Sequence, residues 1–224
     1  MSKIMATNNL QQTANLLTAG IVAGPLFVVI ALVQAFTREG FDIVQHPASL
    51  LSLGDLGWIQ ITNFVIAGIL YIAAAVGLSR SLREGIGRKW APRLLALFGV
   101  SLIIGGLFTA DPGLGFPPGA PRGPAKEFSW HGMIHAFAPV IGFTALAAAL
   151  LVLARRFWIQ NERGWTWITV LVTVAMFTLS SIPSFTGDWK TGTFNFVPLW
   201  AGTAIGFCYV SIVMTKIRKE LTKI

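Results

Sequence analysis

A chain of 224 residues that is 54% hydrophobic and only 12% charged carries about half the charge of a soluble globular domain. Its apolar runs reach about 20 residues, the length that crosses a bilayer core as helix, so a soluble protein is excluded and an integral membrane protein is expected. The net charge of +8 does not point to nucleic acid, because the basic residues lie in short loops between apolar runs, where they set topology.

The N-terminal "MSKIMATNNLQQTAN" is polar with a single Lys3. The apolar run after it is too long for a signal-peptide core and has no clear small-residue cleavage site, so it reads as a first transmembrane helix that stays. Six spans are predicted in all, at about 15–36, 58–79, 91–110, 131–153, 165–184 and 196–215. They are too long and too continuously apolar for barrel strands. The expected architecture is an all-α integral membrane protein: a six-transmembrane-helix bundle in which residues 1–224 form a single six-span membrane domain. Short connections make sequence neighbours antiparallel neighbours in space. Small residues recur at helix-packing spacing, Gly20 with Gly24, Gly202 with Gly206, and the pair Gly105–Gly106. Cys208 lies inside an apolar run, so no intrachain disulfide is possible.

Loop charge sets an orientation. Thirteen of the seventeen Lys and Arg residues fall on one side: Lys3, Arg80, Arg83, Arg88, Lys89, Arg93, Arg155, Arg156, Arg163, Lys216, Arg218, Lys219 and Lys223. Only Arg38, Arg122, Lys126 and Lys190 fall on the other, together with Glu39, Asp42, Asp55, Asp111, Glu127 and Asp188. Positive loops stay cytoplasmic, so an integral protein of the cell membrane with both termini in the cytoplasm is expected, with membrane lipid as the expected partner. Oligomeric state stays open.

The first outer loop, "REGFDIVQHPASLLSLGDLGW" (38–58), places Pro47 well for a helix start and Gly54 for its stop. A short interfacial helix is expected there, amphipathic and lying at the membrane surface before Trp58. It would fold His46 and Ser49 over the bundle mouth, which makes Ser49 a ligand-binding candidate. The segment "DPGLGFPPGAPRGPAKEF" (111–128) is dense in Pro and Gly and should be irregular, with Phe116 capping the bundle. Asp188, in "SFTGDWKTGTFNF" (184–196), is a further ligand-binding candidate, although a solvated loop aspartate explains it too. Trp58, Trp130, Trp165, Trp167 and Trp200 sit near predicted span ends, as interfacial belts do.

The segment "FSWHGMIHAFAP" (128–139) opens the fourth span with two of the three histidines. At i and i+4, His131 and His135 share a helix face, with His135 about 6 Å deeper. Two such imidazoles can share a zinc ion, with His46 or Asp111 as a further ligand and an open position for water. His46, Asp111, His131 and His135 are therefore both the metal-ligand and the catalytic candidates. The other reading of histidines at a membrane helix end is a hydrogen bond to a carbonyl or to water, and HxxxH without the Glu of HExxH is unspecific. A haem bridge is excluded, because one helix face cannot ligate both sides of a porphyrin. No charged residue lies in mid-span, and Gln34, Asn63, Ser101 and Thr173 are the polar groups there. That argues against an ion pump or a proton-coupled carrier.

"REGFDIVQHPASLLSLGDLGWIQITNF", followed by "GGLFTADP" and "WHGMIH", resembles the bacterial and archaeal membrane family catalogued as domain of unknown function 998. His46, Pro47, Ser49, Leu51, Gly57 and Trp58 match its first loop, and Asp111, Pro112 and His135 its later motifs. The resemblance spans nearly the whole chain and implies the six-span architecture without implying a reaction. HxxxH and the outer-face Asp also resemble the membrane hydrolases related to alkaline ceramidases, which have seven core spans and a different order of motifs. Three functions follow from these readings. The first is binding or transport of a lipid or small hydrophobic molecule at the outer mouth, the second zinc-dependent hydrolysis of a lipid, and the third a structural or accessory role in a membrane complex.

Overall fold

A computed structural model describes residues 2–82, 84–125, 129–188 and 190–221; Arg83, Lys126, Glu127 and Lys223 of the loop-charge pattern lie outside them. Six α-helices follow one another: α1 Ser2–Thr37, α2 Gly57–Ser81, α3 Trp90–Leu107, α4 Trp130–Ile159, α5 Arg163–Thr186 and α6 Val197–Leu221. All six are long and apolar enough to cross a membrane, as the sequence predicts, and no strand is present among the described residues. Several helices outrun their predicted spans. α1 begins at Ser2 rather than near 15, and α4 and α6 continue to Ile159 and Leu221. Hydropathy marks the thickness of hydrocarbon, whereas the helix continues wherever its own ladder and local bonds allow. In α1 the Gln11 amide donates to Asn15 Oδ1 at 3.0 Å, and the Thr13 hydroxyl bonds back to the Asn9 carbonyl at 2.9 Å.

Each helix packs on its chain neighbours, and α6 returns to α1, so the six close into a ring. With an even number of antiparallel spans both termini lie at one end, called the terminal end below. The opposite end carries the three longer connections and is called the roofed end. Where helices approach most closely, glycine makes the approach possible. A Cβ on Gly24 of α1 would overlap the Phe207 carbonyl of α6, and one on Gly99 of α3 would lie 2.7 Å from the Gly68 carbonyl of α2. Gly105 differs, since a Cβ there meets only Ala138 at an ordinary 3.7 Å. The centre of the ring is aromatic. Tyr71, Phe98 and Phe207 are fully or almost fully buried and meet edge to face at centroid distances of 4.8 and 5.1 Å.

The connection between α1 and α2 carries the short helix expected after Pro47. It is a 3-10 helix, Ala48–Ser52, and Gly54 at φ +73° follows its end. Leu50, Leu51 and Ser52 are buried against the ring, while Ala48 and Ser49 are only partly buried. Segment 109–125 is irregular, as predicted, apart from one isolated bridge between Gly113 and Phe116, and Phe116 is completely buried.

Candidate functional site

The roofed end is built where α3 stops and α4 starts. A helix leaves its last carbonyls and its first N–H groups without partners, and in hydrocarbon each omission is costly. Here each helix supplies what the other lacks. His135 Nδ1 sits 3.0 Å from the Gly105 carbonyl and 2.8 Å from the Phe108 carbonyl, at the C-terminal end of α3. One turn nearer the end, His131 Nδ1 is 3.0 Å from the Thr109 carbonyl. Carbonyls only accept, so Nδ1 carries the proton in both rings, and Nε2 of a neutral ring is then an acceptor. In return, Asp111 just past α3 accepts from the Ser129 backbone N–H at 2.9 Å and from its hydroxyl at 2.5 Å. Ser129 is the N-cap of α4, and its Oγ accepts from the Gly132 N–H at 3.0 Å. The Asp111 carboxylate thus lies against the positive end of a helix, and it fits only because residue 132 has no side chain to overlap it.

His46 belongs to a different knot. It is buried, its Nδ1 accepts from the Asp42 N–H at 2.9 Å, and its Nε2–H donates to the Leu114 carbonyl at 2.9 Å. Its tautomer is therefore the opposite of that in the other two histidines. Phe41, His46 and Phe116 pack together at 5.1 to 5.5 Å, and Trp200 Nε1 donates to the His46 carbonyl at 3.0 Å. The Arg38 guanidinium lies over Phe116 and donates to the Leu51 and Leu53 carbonyls at 2.9 and 2.6 Å. The Phe196 N–H closes the third side on the Val44 carbonyl at 2.7 Å. All three connections at this end are tied together as a roof.

Asp111, His131 and His135 therefore share the α3–α4 seam, while His46 ties the first loop to segment 109–125, and no hydrogen bond joins the four to one another. Among the described residues, no group of three or more His, Cys, Asp and Glu side chains is placed to hold a metal ion. Asp188 stays in solvent. The Lys190 backbone N–H and the Thr191 hydroxyl hold its carboxyl below the usual carboxylate range, and those contacts brace a loop.

Beneath the roof lies a cavity of about 360 Å³, within the range of small-molecule sites. Pro47, Ala48 and Ser49 close its top; Phe98, Phe143 and Phe207 line it more deeply; α1, α3, α4 and α6 give most of its walls, α2 adds Phe64, and α5 contributes no lining residue. Its polar side chains are few: His135, Ser101, Thr203, Ser49 and Trp200, whose indole N–H is taken by the His46 carbonyl, with no charged residue. Ser49, a sequence candidate, does line it. Trp200 lines it too, so that this tryptophan is a wall and not part of an interfacial belt, unlike Trp58, Trp130 and Trp167, each more than half exposed. Two lining residues are also exposed, Pro139 on α4 and Val197 at the start of α6. The roofed half of α4 is buried only along Gly132, His135, Ala138, Gly142 and Ala145. Behind Phe27, another wall residue, sits an amide cluster that the sequence reading caught only in part. Gln34 Nε2 and Asn63 Nδ2 both donate to Gln60 Oε1, at 2.7 and 3.1 Å. Their orientation is set by the Ile30 and Phe27 carbonyls, which also need those donors.

Six apolar spans closed into a ring, with a roofed pocket at one end, define a multi-pass helical membrane protein. The chain belongs to the family described as Protein of unknown function (DUF998), whose model matches residues 21–216. No curated protein and no solved structure matches it.

The capping geometry makes a direct prediction. His135→Ala strands the Gly105 and Phe108 carbonyls and should cost about 1–3 kcal/mol of stability. His135→Asn, which still offers an N–H, should recover part of the loss. Thermal unfolding in mild detergent checks this, and an alanine variant as stable as the parent would contradict the capping role.

Proposed function

We propose that this protein binds a lipid or small hydrophobic molecule in the cavity under the roof, admitting it sideways from the membrane. The observation that carries the reading is the cavity itself. Membrane-protein interiors close-pack as soluble ones do, and voids larger than a few waters are rare in them. An apolar space of about 360 Å³ is too large to be a packing flaw and too apolar to hold an ion. Its only polar lining groups are uncharged, which suits recognition of a neutral molecule by shape and a few hydrogen bonds. Exposure of Pro139 on the lipid-facing side of α4 supports entry from the bilayer and not from water.

Filling the space tests this. Ala204 lines the cavity from α6 and is only partly buried, so Ala204→Phe should occupy it without breaking the ring. After extraction in lipid nanodiscs without detergent, native mass spectrometry should find an apolar molecule bound to the parent at near-equal stoichiometry. The phenylalanine variant, with unchanged melting temperature, should have lost it. A parent with no bound molecule, or a variant that keeps it, would contradict the proposal.

The roofed end is read as extracytoplasmic and the membrane as the cell membrane, with both termini in the cytoplasm. The support is the crowding of Lys and Arg into the terminal-end loops. Single cysteines replacing the exposed Pro118 and Glu84 in a Cys208→Ser background distinguish the two ends. An impermeant thiol reagent applied to intact cells should label position 118 and spare position 84, and the reverse pattern would overturn the orientation.

A further inference from the structure

Along the α3–α4 wall of the cavity the polar atoms are one-sided, unlike the Ser49 and Thr203 hydroxyls elsewhere in the lining, and that narrows what can occupy it. His135 gives its Nδ1–H to α3, so the nitrogen left on the ring, Nε2, is a lone-pair acceptor with no hydrogen bond to any described residue. One turn further along α4 stands Pro139, also a wall residue. Proline has no N–H, so it cannot supply the bond that the His135 main-chain carbonyl would otherwise accept within the helix. Ser101 sends its hydroxyl proton to the Phe98 carbonyl at 2.7 Å, which leaves its oxygen as an acceptor as well. Along the α3–α4 wall the structure therefore offers acceptors and no free donor. An apolar molecule pressed against those groups leaves them unpaired, and a buried unpaired acceptor is costly. A carboxylate or phosphate would set negative charge beside lone pairs with no cation in the lining.

We infer that the occupant of the cavity is an uncharged single-chain amphiphile whose terminal hydroxyl donates a hydrogen bond to His135 Nε2. This rests on the cavity reading above and specifies its ligand. The hydroxyl lies near the roofed end, where His135 caps α3, and the chain runs inward past Ser101 towards Phe98 and Phe207. Ser101 lies one helical turn below Gly105, about 6 Å deeper. The volume, near the lower end of the range for small-molecule sites, suits one chain and not the two of a membrane phospholipid.

The test compares three probes on the full chain in nanodiscs: 1-dodecanol, its methyl ether and dodecanoate. Native mass spectrometry reads bound mass against probe concentration. The alcohol should bind roughly tenfold more tightly than the ether, the size expected when one buried acceptor is paired or left unpaired. Dodecanoate should bind more weakly than the alcohol. In His135→Phe the preference for alcohol over ether should vanish while both still bind. If that variant does not fold, the comparison on the parent decides alone. Equal binding of alcohol and ether to the parent would overturn the donor inference and leave the cavity reading standing. Dodecanoate matching the alcohol would overturn the requirement for a neutral ligand. Failure of all three to bind would overturn the cavity reading itself.

Discussion

Backbone groups at a helix end have to be paired when water is scarce, and at the α3–α4 junction that requirement organises everything around it. The C-terminal end of α3 presents carbonyls at Gly105, Phe108 and Thr109, and two imidazoles on one face of α4 reach all three. The N-terminus of α4 presents N–H groups, and Asp111 and Ser129 take them up. The exchange is reciprocal, so neither helix end is complete without the other. It also fixes rotation: the face of α4 carrying Gly132, His135, Ala138 and Gly142 must turn towards α3. What remains of the roofed half of α4, including Met133, Phe137, Val140 and Ile141, is left exposed.

That commitment creates the cavity. With its buried face spent on α3, α4 leaves a space bounded by α1, α3, α4, α6 and Phe64 of α2, and the small residues Ala138, Gly142, Ala201 and Ala204 keep it open. Below it Tyr71, Phe98 and Phe207 seal the ring, and above it the 3-10 segment after Pro47 is pressed down by the His46 and Arg38 bonds. One residue serves both the scaffold and the pocket. His135 holds α3 through one nitrogen and presents the rest of its ring to the cavity, so the tautomer demanded by folding also sets the chemistry offered to a ligand.

Much of the frame was legible in the residues themselves. Apolar run length fixes six spans, and loop charge separates the two ends, because hydrocarbon thickness and lysine placement act locally along the chain. The i, i+4 histidines were legible as a same-face pair, and hydrogen bonding to carbonyls was one of the two readings weighed for them. Which carbonyls they meet was not legible, since Gly105, Phe108 and Thr109 reach them through a tertiary contact that no spacing encodes. Gln60 carries no such signal, because a lone polar residue near a span start fits an interfacial position as well as a buried one, and the fold buries it completely. The short helix after Pro47 was legible from its proline start and glycine stop, but its 3-10 form and the burial of Leu50 and Leu51 depend on what lies beneath it. Absence is harder still to read: the cavity is made of alanines and glycines, whose small size in a sequence signals close packing and gives no hint of a void.

The central claim is that histidine tautomers are set by backbone capping, with the free nitrogen of His135 left to the cavity. Nitrogen-15 NMR of the imidazoles, on labelled full-length protein in nanodiscs at neutral pH, reads this directly. His131 and His135 should both carry a proton on Nδ1, while His46 should carry its proton on Nε2 and none on Nδ1. A His135 ring carrying its proton on Nε2 would contradict the capping of α3 and the ligand chemistry drawn from it.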